Sequence, residues 1–484
     1  MMFQQADYIA LLPEIIVASG ALFLLLKGVF ARTETPTSSH MHAVLALLGA
    51  QAALIFTWQD ASVAPFQALF VNDSFAQVCR SLVLVGTAII LVLAHHPERR
   101  VKSYDMEFNV LMLLAALGMM IMVSAANFLV LYLGMELQAL CLYVLVAIRR
   151  ARLRCVEAGM KFFMLGGIAS LLFLYGISVF YGLSGSLSYD VVAALTSDGG
   201  QHAGVALRVA TLLVLSALAF KMTAAPFHVW APDVYQGSSM RVLAFIATVS
   251  KVVGVIVFLR LLEIPLRSQL AHLETFLFAL AALSMTVGSL AGLRQTDIKR
   301  LLAYSGISQM GFALIATVAW RGYGFEAVFV YMLIYFITML GVFALLLSLA
   351  RKQRQISLIS DLAGLSTSHG GYALALAIFM FSLIGLPPFA GFFAKLYVFF
   401  AAIEQGHVLL VVWAALMTVV AAGYYLRIIK VMYMDTPQEG ALDGRIHIDN
   451  RLIVFLTALF TVLFVLAPRR FWDVVLSLWP SALN

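Results

Sequence analysis

Of 484 residues, 63% are hydrophobic and only 11% are charged, a balance that excludes a soluble globular domain. The formal net charge of +7 does not mark a nucleic-acid binder, because the basic residues sit in short loops between apolar runs. Cys79, Cys141 and Cys155 lack any paired spacing, which excludes an iron–sulfur cluster and a disulfide framework within this chain.

Apolar runs long enough to cross a bilayer recur from Tyr8–Phe30 to Leu452–Leu466, about 14 in all. They are continuously apolar rather than alternating, so each predicts a helix and not a barrel strand. The expected fold is an all-α polytopic membrane protein. The start MMFQQADYIALLPEIIVASG has no basic n-region and runs straight into a full-length span, which predicts no cleavable signal peptide. Glu14 and Lys27, near the ends of that span, read as anchors. Residues 1–104 hold three such helices. His95 and His96 are adjacent and juxtamembrane, the wrong arrangement for two haem ligands facing one site.

Arg and Lys alternate between loops. One set carries Arg99, Arg100 and Lys102, then Arg149, Arg150, Arg152 and Arg154, then Arg294, Lys299 and Arg300, then Arg351, Lys352 and Arg354. The opposite set holds little beyond Arg267 and Arg321. The positive-inside rule places the first set in the cytoplasm and both termini outside, in keeping with an even number of spans.

Two stretches of the chain resemble each other. EAGMKFFMLGGIASLLFLYGI from Glu157 matches EAVFVYMLIYFITMLGVFALL from Glu326. Pro226-Phe227 then matches Pro388-Phe389, and Leu259-Arg260 matches Leu426-Arg427. Each copy spans five helices, 105–265 and 272–434, followed by a C-terminal loop and helix over 435–484. An odd number of spans inverts the second copy, an architecture of transporters whose ion sites lie at interrupted helices near the midplane. Both interruptions are readable: LSALAFKMTAAPFHVWAPDVYQG contains Pro226 and Pro232, and FSLIGLPPFAGFFAKLYVFF contains Gly385, Pro387 and Pro388.

Four ionisable residues fall deep within spans. Lys251 is the midpoint of the Arg241–Glu263 segment, about 15 Å from either end and beyond the reach of snorkelling. A lysine there carries an insertion penalty of about 3 kcal/mol, which makes it a functional candidate by default. Lys221 precedes the first break, and Lys395 follows the second. Glu136 lies within NFLVLYLGMELQALCLYVLVAIRR and is the natural partner of Lys221: facing each other, the two can stay charged, and separating them lets the lysine release its proton. A static ion pair that fixes helix packing is the alternative. The sequence offers Lys251 no obvious acidic partner at its depth, which suits a relay that holds a proton transiently.

Two further residues have two readings each. Lys161, four residues after Glu157, fits a snorkelling or i,i+4 surface pair as well as proton transfer. His228, two residues after Pro226, is either a relay between Lys221 and Lys251 or a satisfied hydrogen-bonder at a helix break. The abundant Tyr, Met and Phe read as lipid-facing and packing surface rather than as a quinone pocket.

AAPFHVWAPDVYQGS, DIKRLLAYSGISQMGF and GLPPFAGFFAKLYVF together resemble the antiporter-like membrane subunits of respiratory NADH:quinone oxidoreductase (complex I). The resemblance covers essentially the whole chain. PDVY after the Pro-Phe-His break favours the N-type subunits over their M and L sisters, and Lys at 395 argues against the M type, whose matching position is usually Glu. There is also no room after Pro468 for the long lateral helix of the L type.

The resemblance implies 14 helices with two inverted five-helix repeats and two discontinuous helices. It maps the family's Glu/Lys pair onto Glu136 and Lys221, its central lysine onto Lys251, its exit lysine onto Lys395, and a further frequent lysine onto Lys161. It implies a proton-translocating subunit of the bacterial inner membrane, without a redox centre of its own. Flavin, iron–sulfur clusters and quinone are then expected in partner subunits, and the partners are other membrane-arm subunits, above all the M type and the small membrane subunits, together with lipid. One departure stands out: the family usually has Pro near Ser239, where this chain reads GSSMR, so the start of the eighth helix is left less defined. A subunit of a multisubunit cation/proton antiporter is the alternative function, and the scarcity of intramembrane acids beyond Glu136 counts against a Na⁺ site. A third reading, a non-conducting scaffold, is hard to reconcile with several buried lysines.

Overall fold

The computed structural model describes residues 5–30, 36–58, 66, 69–95, 105–197, 204–351, 354–437, 442–443 and 448–478. His96, Arg99, Arg100, Lys102 and Lys352 lie outside the described residues. Among the described residues 13 helices are long and apolar enough to cross a membrane. A further crossing is split into Gly370–Ile384 and Ala390–Glu404. The only strands among the described residues are Ala350–Arg351, Arg354–Gln355 and Leu442–Asp443, joined as a small antiparallel sheet with the first in the middle.

The chain groups into two compact units, one formed by Met1–Leu218, Val249–Ala271 and Leu478–Asn484, the other by Ala219–Thr248 and His272–Ser477. In the first unit the Asp105–Val123 and Phe128–Ala147 helices cross where Gly118 meets Gly134. A Cβ on either glycine would come within 2.8 Å of the other's carbonyl oxygen. Such closeness suits helices in lipid, where burial of apolar surface gives no drive to associate and packing must supply it.

Two buried ion pairs join distant segments of this unit. Arg80, in the Ser74–Ala94 helix, donates to Glu14 at 3.3 Å and to the Ala10 carbonyl at 3.2 Å, and also to Asn72. Glu14 is therefore enclosed in protein rather than acting as an interfacial anchor. Lys27, by contrast, sits near the helix end and donates to Ser38 at 2.6 Å. Arg260 donates to Asp73 at 2.9 Å and to the Val123 carbonyl at 3.0 Å. Asp73 also caps the Ser74–Ala94 helix by accepting from the Ala76 amide at 2.7 Å, so one carboxylate serves both a helix N-terminus and a buried guanidinium.

In the second unit the Ile298–Ala319 and Gly324–Ser348 spans are almost wholly enclosed by other helices. The amphipathic Pro468–Leu478 helix exposes Arg469 and Arg470 while Trp472 stacks on Tyr397 at 4.7 Å and meets Tyr323 edge-on at 6.0 Å. Tyr323, in the short connection before Gly324, donates to Glu404 at 2.9 Å, and that carboxylate raises its phenol above the ordinary value.

The missing proline near Ser239 has a local substitute. Ser239 is the N-cap of the helix beginning at Met240, and its hydroxyl accepts from the Val242 amide.

Candidate functional site

Both interrupted helices lie where the prolines predict. The Gly204–Met222 helix ends one residue after Lys221, and helix resumes at Trp230. Thr223 adopts φ +65° and the Ala225–Pro226 bond is cis. The interruption frees backbone groups, and each uncompensated one in an apolar setting costs about 1–3 kcal/mol. Local partners satisfy them here: the Trp230 indole donates to the Phe220 carbonyl at 3.0 Å, and the Ala225 amide donates to Ser284 at 2.8 Å. Lys221 and His228 are both half-buried, flanking the break.

The second break is tighter. Gly385, at φ +89°, ends the Gly370–Ile384 helix, and the following Pro387–Pro388 bond is cis. Ser382 closes the gap by accepting from the Gly391 amide at 3.1 Å. The Ile384 carbonyl, released by the break, accepts from the Lys395 ammonium at 2.9 Å, while Thr418 accepts from the same nitrogen at 3.3 Å. The Phe312 ring centroid lies 4.0 Å from that nitrogen, completing its surroundings with a π face. Beside it is a cavity of about 20 Å³, room for one water, lined by Lys395, Gln309, Tyr331, Tyr335, Thr338 and Ser382 among others. A proton held at Lys395 thus has a carbonyl, a hydroxyl and a water-sized space around it.

Gly391 permits this crossing of half-helices. A Cβ there would lie 1.8 Å from the Ser382 carbonyl oxygen. Gly391→Ala is expected to force the two halves apart, at a cost above the usual ~1–3 kcal/mol of overpacking, and to lower the amount of assembled protein in membranes on a native gel. Wild-type assembly and melting in that variant would refute the account.

Lys251 is 2% exposed in the Met240–Glu263 span, all of whose length is enclosed. Directly before it, Ile246–Ser250 winds as a π turn, a widening that loosens the regular backbone ladder and recurs at functional positions. Gln138 donates to Ser250 at 2.9 Å, and Tyr335 donates to the Ala247 carbonyl at 3.3 Å.

Glu136 is half-buried and accepts from the Ser170 hydroxyl. It belongs to the first unit and Lys221 to the second. Lys161 pairs with Glu157 at 2.9 Å with both side chains about half exposed (45% and 57%). Of the six residues singled out in the sequence, Lys251 and Lys395 are thus deeply buried, Glu136, Lys221 and His228 partly so, and Lys161 is at the surface.

Sequence reasoning missed the polar residues around Lys395. Gln309, Tyr331, Tyr425 and Thr418 carry no charge; the only signal for Gln309 and Tyr425 is that SGISQMGF and AAGYYLRI interrupt otherwise apolar spans with hydrogen-bonding side chains, and Tyr331 and Thr418 have none. Arg80 was missed as well, although it is a lone charge on the seventh residue of the Ser74–Ala94 helix.

A polytopic bundle with two broken helices, a lysine beside each, and a third lysine buried in an intact span defines an ion-translocating class of membrane protein. The comparisons narrow that class. Residues 125–421 match the family described as NADH:quinone oxidoreductase/Mrp antiporter, transmembrane, and the chain belongs to that family. It is 41% identical over 470 residues to the NADH-quinone oxidoreductase subunit N of Paramagnetospirillum magneticum, covering 96% of each chain. Among solved structures it resembles a chain of respiratory complex I from Thermus thermophilus, with a TM-score of 0.81 and 31% identity over 95% of this chain and 98% of that one. A chain of the Mrp complex from a Dietzia species shares the fold, with a TM-score of 0.82 at 20% identity over 97% of each chain.

Proposed function

We propose that this chain is an N-type membrane subunit of NADH:quinone oxidoreductase that moves protons across the bacterial inner membrane, driven by redox chemistry in other subunits. The observation that carries the reading is Lys395, buried among polar ligands at a broken helix, together with Lys251 enclosed at the middle of an unbroken span. Neither position stabilises a fold cheaply, since a charge placed there sacrifices its hydration.

In this reading a change delivered from neighbouring subunits separates Glu136 from Lys221, and the proton passes to Lys251 and then to Lys395. Side chains alone do not bridge such a sequence of groups, so water and His228 complete it. Lys161 is a further acid–base group toward the basic loop that begins at Arg149. Flavin, iron–sulfur clusters and quinone reside in partner subunits. The partners are other membrane-arm subunits, in particular an M-type subunit and small membrane subunits, with lipid filling the remaining apolar perimeter. Both termini face the periplasm, and the loops rich in Arg and Lys face the cytoplasm.

Purification from the native membrane in mild detergent tests the assignment. Co-migration with flavin- and iron–sulfur-containing chains, and quinone-dependent NADH oxidation by the preparation, is the expected outcome. Isolation with small antiporter subunits and no redox activity would instead place the chain in a cation/proton antiporter.

A further inference from the structure

The Lys395 cavity adjoins a second polar column that the proton sequence above does not use. Starting from the Arg294–Arg300 end of its helix, Ser305 comes seven residues after Ile298, about 10 Å along the axis. The Tyr424 ring packs beside that same end, where a Cβ on Gly292 would meet it at 2.9 Å. The Tyr424 hydroxyl lies 3.3 Å from that of Ser308 and hydrogen-bonds the Tyr425 hydroxyl, which in turn bonds the Ser305 hydroxyl, while Ser308 also donates to the Ser305 carbonyl. Tyr424, Tyr425, Ser305 and Ser308 are all buried. They form a file of linked hydroxyls that begins about 10 Å inside the basic end of the helix and runs to the edge of the cavity.

Gln309 stands where the file meets the cavity. Its Nε2 donates to the Leu383 carbonyl at 3.0 Å and to the Tyr425 hydroxyl at 3.0 Å, while its Oε1 accepts from the Tyr331 hydroxyl. The orientation of the amide is fixed by chemistry, because a backbone carbonyl only accepts and therefore must face the nitrogen. Both N–H groups and the oxygen are then engaged. The proton of Tyr331 points into Gln309, and that of Tyr425, which accepts from Gln309, is directed away from it. A hydroxyl, an imidazole or a carboxyl can accept a proton on one side and release another; a carboxamide nitrogen has no lone pair to accept with and does not give up its protons.

We propose that Gln309 is an insulating residue: its amide satisfies the groups on both sides while blocking proton passage between the Lys395 cavity and the hydroxyl file. This rests on the proton-translocating reading above and adds a requirement to it. A pump whose last buried lysine stayed connected to the basic end would lose protons back along the file, and an amide at the junction prevents this without leaving an unsatisfied group. Gln309 is a positioning residue in this role, since it neither binds nor carries the transported proton.

The test uses the whole complex in liposomes and reads three quantities: NADH oxidation, the pH gradient built per NADH oxidised, and the passive decay of an imposed gradient without NADH. Gln309→Glu converts the amide into a group that relays protons. The expected result is a several-fold smaller gradient per NADH and faster passive decay, with NADH oxidation retained. Gln309→Met removes the same hydrogen bonds but offers no route, and is expected to keep the wild-type passive decay. Equal losses in both variants would show that Gln309 serves packing alone, and an unchanged ratio in Gln309→Glu would show that the file does not conduct; either overturns the proposal. Should the glutamate variant fail to assemble, Gln309→His decides by the same ratio. A parallel Lys251→Ala complex keeps the two readings apart: if it pumps fully, the proton-relay reading itself has failed, whereas a pumping defect there with an unaffected Gln309→Glu complex sinks only the insulation.

Discussion

Replacing Lys251 by alanine is expected to reduce coupled proton translocation by about a hundredfold, the lower range for removing a positioned acid–base group from a proton-transfer step. Assembly should persist. Lys251 is enclosed on all sides, and a charge buried there opposes folding rather than driving it. The alanine variant keeps the helix, since alanine has the highest helix propensity, and the π turn before it is held from outside by Gln138 and Tyr335. The informative measurement is the ratio of protons moved to NADH oxidised in reconstituted complex, read beside a native gel. An intact complex with the wild-type ratio would remove Lys251 from the path.

The second large effect concerns stability rather than transport. Asp73→Ala should destabilise the first unit by about 3–5 kcal/mol, because it leaves the buried Arg260 guanidinium without its carboxylate and the Ser74–Ala94 helix without its cap. Complex carrying this change is expected to dissociate at lower temperature and to accumulate less. Combining it with Arg260→Met should recover a good part of the loss, since an apolar side chain of similar length removes the stranded charge. Thermal release of the subunit from the purified complex measures both; additive losses in the double variant would mean that the pair is not energetically coupled.

The legible part of this molecule is the part where sequence violates the bilayer's demands. Continuous apolar runs announce the spans, paired prolines announce the breaks, and a lysine amid valines announces Lys251, because each departs sharply from what lipid tolerates. Gln309 and Thr418 offer no such contrast, as neutral polar side chains are common in packed spans. Their importance lies in three-dimensional neighbours, the Leu383 carbonyl and the Lys395 ammonium, that lie 74 and 23 positions away. Arginines at matched repeat positions show the same limit. Arg260 is buried against Asp73, whereas Arg427 is exposed and donates to the Gln295 carbonyl. Sequence similarity reports shared ancestry of the position and says nothing of what surrounds it.

The Arg80–Glu14 pair bears on how the chain enters the membrane at all. Glu14 is made early and Arg80 two spans later, and an isolated arginine within an inserting segment carries a penalty of about 3 kcal/mol. The ribosome therefore delivers an acid that must wait, without its base, while the intervening helix is threaded. Pairing with an arginine two spans later is then expected to favour release of these helices into lipid as a group rather than one by one.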